Sequence, residues 1–167
     1  MKIRHLILIA FLIFSYAVNA QQADRWANLM LLVGSWSGEG SGMAGEGTDI
    51  FSFTFDLEQK ILIRKSQADY GTNSLKDRNI TEELMIIYLV DQIPSRAICF
   101  NNQGYTVNYS IEYSDKSIIF TSDRIPQTPM FRLSYIFIDS STVKVIFEIS
   151  RDGTNFSPFV ESINKRV

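Results

Sequence analysis

Leu32-Val33-Gly34-Ser35-Trp36-Ser37-Gly38-Glu39-Gly40 is the stretch on which the reading of the fold turns. An apolar helical turn ends at Val33. Gly34 follows, where the chain needs a left-handed backbone that glycine adopts cheaply. Trp36 then opens a first strand, with enough apolar surface to cover one end of whatever the later strands enclose. Upstream, Ala23 to Val33 is predicted helical. Asp24 is placed to cap it, and Trp26, Leu29, Met30 and Val33 recur at i, i+3, i+4 and i+7. Such a face needs a surface to cover, and the open end of a barrel supplies one.

Downstream, strand follows strand. Thr48 to Asp56 sets Phe51, Phe53 and Phe55 against Ile50, Ser52 and Thr54. Gln59 to Ala68 pairs back across Leu57-Glu58. Tyr70 to Thr81 is polar and reads as a surface loop. Glu83 to Asp91 is apolar on both faces, so both are expected to be covered, the outer one by the helix or a neighbouring molecule. Pro94 is expected to stop the ladder before Arg96 to Asn101. Tyr105 to Tyr113 gives the cleanest alternation, followed by Lys116 to Thr121, Met130 to Ile138 and Thr142 to Ser150. After the Asp152-Gly153 turn, Asn155 to Arg166 closes the sheet. The predicted fold is all-β: an antiparallel up-and-down barrel of about 8–10 strands with a short N-terminal helix. Closure removes edges that such apolar strands would otherwise present for aggregation.

Gly40-Ser41-Gly42-Met43-Ala44-Gly45 matches G-x-G-x-x-G, but the following run is a strand. A dinucleotide fingerprint needs a helix there, so this reads as a turn.

Lys2, Arg4 and His5, the apolar run Leu6 to Phe14, and Ala17-Val18-Asn19-Ala20 form a signal-peptide pattern over residues 1–20, with cleavage before Gln21. The run is shorter than the roughly 20 residues a spanning helix needs. No later run is a transmembrane segment. The expectation is a secreted protein, periplasmic or extracellular, with a single domain at 21–167. A formal net charge of −2 gives no basic field, which argues against a nucleic-acid partner.

The chemistry available is narrow. The single histidine, His5, leaves with the leader, and Cys99 stands alone in an apolar strand, so it is expected buried and unreactive. Nucleophile–base pairs and His/Cys metal sites have no residues to build them, and no cofactor is expected. Tyr88, Tyr105, Tyr109, Tyr113 and Tyr135 read as packing residues rather than haem ligands. Glu112 and Glu148 lie opposite the apolar face of their strands and read as solvent-facing. Asn79-Ile80-Thr81 and Asn108-Tyr109-Ser110 match the glycosylation sequon, which matters only in a eukaryotic secretory pathway.

A barrel this size holds either packed side chains or one small ligand. Candidate lining residues are Trp36, Phe53, Arg64, Tyr88, Tyr109, Arg132, Tyr135 and Phe147. Among the mid-strand charges Arg64, Arg132, Lys144 and Glu148, any that points inward is a polar anchor in an apolar pocket. Arg132 is the first choice for holding an anionic head group, and the alternative is an outward, solvated arginine.

The opening stretch resembles that of calycin-like (lipocalin-like) β-barrels, in which a helix leads through G-x-W into the first strand. Ser95 to Gly104, Pro129 to Tyr135, Phe147 to Ser150 and Phe156 to Glu161 resemble an uncharacterised exported bacterial family of that kind. The resemblance implies eight to ten antiparallel strands and no assigned reaction. The related nitrobindin-like haem barrels share a W-x-G-x-G opening but use a histidine near the chain end. None stands there here, so haem is not carried over. The expected function is binding of a small apolar or amphipathic ligand. The alternative is a packed barrel acting through its surface or as a homodimer, with an enzyme third.

Overall fold

The computed structural model describes residues 25–70 and 80–167. The signal-peptide reading, the Asp24 cap, Asn79 and most of the Tyr70–Thr81 loop lie outside them. A 3-10 helix at Ala27–Leu32 precedes ten strands: β1 Gly34–Gly42, β2 Gly47–Asp56, β3 Ile61–Asp69, β4 Ile80–Val90 and β5 Ile93–Asn101, then β6 Thr106–Tyr113, β7 Ser117–Ser122, β8 Met130–Phe137, β9 Thr142–Ser150 and β10 Ser157–Arg166. Each strand pairs antiparallel with the next, and β10 pairs back onto β1, so the sheet is a closed barrel. This is the predicted all-β class.

Period-two alternation explains the core. Phe51, Phe53, Leu62, Met85, Ile87, Ala97, Tyr109, Ile118, Phe120, Leu133, Tyr135, Val143 and Val145 project inward and are buried. Tyr135 sits at the centre. Its ring lies edge-on to Phe51, Phe53 and Phe120, with centroids 5.5, 5.6 and 5.9 Å away.

The structure corrects three local expectations. The helix is 3-10 rather than α over its described length, so the buried set is Trp26, Leu29 and Leu32, three residues apart, and Met30 turns to solvent. Pro94 does not stop the ladder. It lies inside β5 opposite Leu89, where the register shifts between Tyr88 and Leu89 and the missing N–H is accommodated. The turn is made instead by Asp91 and Gln92, both at positive φ, as a two-residue hairpin requires. The outer face of β4 is also uncovered: the helix caps the barrel end, leaving Leu84 and Val90 exposed. The glycine-rich run behaves as read. β1 continues through Gly42, a turn follows, and β2 begins at Gly47 with no helix.

Candidate functional site

The two ends of the barrel are built differently. At one end the 3-10 helix is a stopper. Trp26, Leu29, Leu32 and Trp36 are all fully buried. Burial of each such side chain is worth about 1.5–3 kcal/mol. Gly34, at positive φ, swings the chain from stopper to strand. The last carbonyls of the helix have no intrahelical donors, and side chains supply them. Trp36 Nε1 donates to Leu32 O at 2.9 Å, and Arg166 donates from Nη1 to Val33 O at 2.5 Å and from Nη2 to Leu31 O at 2.7 Å. The Arg166 guanidinium also lies 4.3 Å from the Trp36 ring centroid. Trp26 Nε1 donates to Gln59 O at 2.9 Å, tying the stopper to the β2–β3 turn.

Toward the opposite end, the mouth, the inward wall changes character. The β10–β1–β2–β3–β4 side is polar. Ser162 Oγ donates to Asp49 Oδ2 at 3.1 Å, and Asn164 Nδ2 donates to Ser162 Oγ at 2.7 Å. Asp49 and Asn164 are the register partners of Gly38 on its two sides. A Cβ on Gly38 would lie 2.5 Å from Asn164 Oδ1, and one on Gly40 would lie 2.7 Å from the Tyr70 hydroxyl. The bare glycine backbone is therefore what lets these polar groups converge. On β3, Arg64 is buried. Its Nη1 donates to Glu83 Oε2 at 2.9 Å, and its guanidinium lies 5.7 Å from the Phe51 ring centroid.

Across the barrel, the β6–β8–β9 wall near the mouth is apolar. Val107, Phe131 and Phe147 pack on the core but are only half-buried. Phe131 and Phe147 stack at 5.8 Å, and Phe159 meets Phe147 edge-on at 6.3 Å.

The polar wall is left incomplete. Asp49 Oδ1, Arg64 Nε, Tyr70 OH, Tyr135 OH and Asn164 Oδ1 are buried without a hydrogen-bond partner. Stranding such an atom costs about 1–3 kcal/mol, and these groups lie beside one another, Tyr135 by Arg64, Tyr70 by Ser162 and Asp49 by Asn164. Burial raises the Asp49 carboxyl above its ordinary value, with Ser162 and the nearby Arg64 charge opposing. Burial pushes the Tyr70 phenol up to about 12, with the Asp49 charge adding to it. Burial also raises Tyr135 and Tyr109. For Arg64, burial works against the cation, but Tyr135 and Glu83 more than offset it and its pKa is raised. Cys99 is buried and its thiol is pushed up to about 12, first by burial and then by Glu83.

Of the eight candidate lining residues, Trp36 belongs to the stopper. Phe53, Arg64, Tyr109 and Tyr135 are buried in the interior, and Phe147 stands on the apolar wall near the mouth. The remaining two face outward. Arg132 lies opposite the Leu133/Tyr135 phase and is held by Glu148 through Nε–Oε2 at 2.6 Å and Nη2–Oε1 at 2.8 Å, beneath Phe156. Glu148 is therefore paired and largely buried rather than solvated. Tyr88 alternates with buried Ile87 and shares the outer face with Arg96. The inward arginine is Arg64, and sequence reasoning did not pick Asp49, Tyr70, Glu83, Ser162 or Asn164. Among the described residues, no three His, Cys, Asp or Glu side chains converge to hold a metal ion, and no helix is long and apolar enough to cross a membrane.

A separate, shallow groove of about 650 Å³ crosses the outer face of β2–β5, over Ile50, Leu84 and Phe100 and between Lys65, Glu82 and Asn102.

No protein-family model and no curated protein matches the chain. Among solved structures, it is similar to the crystal structure of Rv2717c from M. tuberculosis, at TM-score 0.58 and 14% identity over 86% of this chain and 97% of that one. S-type phycobiliprotein lyase CPES from Guillardia theta superposes at TM-score 0.47 and 10% identity, over 82% of this chain and 89% of that one. The first likeness is one of fold, covering nearly the whole of the other chain.

Proposed function

We propose that the barrel binds a small amphipathic molecule entering at the mouth, with its polar part against the Asp49/Arg64/Tyr135 wall and its apolar part against Val107, Phe131 and Phe147. The observation that carries this reading is the group of buried polar side chains Asp49, Arg64, Ser162 and Asn164 in the inward phase of a barrel whose Val107, Phe131 and Phe147 are only half-buried. A few convergent polar groups in an otherwise apolar recess is the usual composition of a ligand site. Native mass spectrometry of the purified protein tests it. A retained small-molecule mass that leaves on denaturation is expected; a bare chain before and after incubation with lipid extract would overturn it. The leader at residues 1–20 makes this an exported binder, and N-terminal sequencing of the cell-envelope or medium fraction should begin at Gln21.

The exposed Ile50, Leu84 and Phe100 favour a second reading, a packed barrel that dimerises through the outer face of β2–β5. Light scattering of the wild type and Leu84→Lys separates the two: a dimer lost on substitution supports it, and a monomer throughout removes it.

A further inference from the structure

We propose that the cleft on the rim of the mouth, between the β7–β8 and β9–β10 loops, binds a singly charged oxyanion carried on an apolar group, of the alkyl carboxylate class. The cleft has a volume of about 390 Å³ and is lined by both loops, with Arg124 on one side and Arg151 on the other. Met130, at its floor, alternates with Phe131, whose phase faces the interior, so the cleft lies on the outer side of the rim. It is apart from the interior wall and does not depend on it.

Charge in the cleft is unbalanced. Arg124 and Arg151 are exposed, and among the described residues neither makes an ion pair. The acids next to them in the chain are committed elsewhere. Asp123 is held by both terminal nitrogens of Arg96, at 2.9 and 2.5 Å. Asp152 shares the cleft, but its carboxylate is turned into its own loop. Oδ1 accepts from Ser150 Oγ at 2.9 Å and from the Thr154 and Asn155 amides at 2.8 Å each, and Oδ2 accepts from Asn155 Nδ2 at 2.7 Å. Two guanidiniums against one carboxylate leave one positive charge for a ligand to match.

Arg124 is also held in place. Its Nη2 donates to Asp152 O at 3.3 Å. Its guanidinium lies along Gly153, where a Cβ would sit 3.1 Å from Nη1 and where the backbone is at positive φ. A guanidinium anchored at one nitrogen keeps N–H groups free for the two oxygens of a carboxylate, and less side-chain freedom is lost when they bind. Beside it, Ile125, Pro126 and Met130 supply an apolar surface, and Ile125 is 55% exposed. An alkyl chain would cover that surface while its head group meets the arginines.

Amide NMR titrations of the purified protein with octanoate, acetate and octyltrimethylammonium at pH 7 test the proposal. Octanoate is expected to shift the amides of residues 124–128 and 151–155 saturably. Acetate, which lacks the chain, should bind there about tenfold more weakly. Octyltrimethylammonium should leave both loops unmoved. Arg124→Gln and Arg151→Gln, both at exposed positions, should each weaken octanoate about fivefold. Octyltrimethylammonium shifting the same loops as strongly, or unchanged octanoate affinity in both variants, would overturn the charge assignment. Acetate binding as tightly as octanoate would overturn the apolar half. Octanoate shifts confined to β1 and β10 would remove the cleft while supporting the interior site, and no shift at either loop would remove the cleft alone.

Discussion

At the stopper end, Trp26, Trp36 and the last helical carbonyls all have protein partners, and the side chains are fully buried. Toward the mouth, Asp49 Oδ1, Arg64 Nε, Tyr70 OH and Asn164 Oδ1 have none, nor has the central Tyr135 hydroxyl of β8, and Val107, Phe131 and Phe147 are half-buried. Both regions are lined by the same alternating strands, so the difference lies in which residues occupy the inward phase. The stopper end spends its sequence on closed packing. The mouth holds groups that packing alone leaves unsatisfied, the pattern expected where stability has been given up for a site.

Experiments that break this contrast should differ in size. The largest effect is expected from Trp36→Ala, which removes a buried ring stacked on Phe51 and unseats Arg166. Urea unfolding should show a loss of about 3–5 kcal/mol. Next comes Gly38→Ala, whose new methyl would lie 2.2 Å from the Ile163 carbonyl oxygen and 2.5 Å from Asn164 Oδ1, and should cost about 1–3 kcal/mol by the same measurement. A neutral outcome would mean that β1 and β10 can spread there without loss. Glu83→Ala leaves buried Arg64 unpaired. Because Glu83 is partly exposed, the cost is expected near 1–2 kcal/mol, and Arg64→Met with Glu83→Leu should recover most of it.

A smaller effect concerns pH. The folded-state pKa of Asp49 is raised, so the native protein holds that proton more tightly than the unfolded chain. Its contribution to stability is complete below the ordinary carboxylate range and is lost as pH rises through the raised value. Thermal melts across that window should show a decline that Asp49→Asn lacks. The smallest effect is chemical: Cys99 should resist thiol reagents at neutral pH and react only as the protein unfolds.

The barrel was legible because alternation in β2, β6, β8 and β9 is strong and the turns between them are short. The helix type was not, because Trp26, Leu29 and Met30 fit a 3.6-residue period as well as a three-residue one until the strands fix which side is covered. Pro94 misled because a bulge at Tyr88–Leu89 is invisible in the sequence. The site was harder still. Arg132 and Arg64 are equally mid-strand, and only the phase set by Tyr135 and Leu62 tells inside from outside. Asp49 was the readable clue, since it stands one step ahead of Phe51 and Phe53 in the inward phase. Ser162 and Asn164 were beyond reach: their partnership with Asp49 spans 113 residues and depends on side chains that β1 does not have.

The seam between β1 and β10 has a consequence for biogenesis. The first strand waits for the last, and Arg166, the residue that latches the stopper, is the final one in β10. Ring closure therefore waits until β10 has been made, and runs through contacts of long sequence separation that form slowly. Until then β1 presents an unpaired edge, which makes the newly made chain a client for whatever holds unfolded proteins apart.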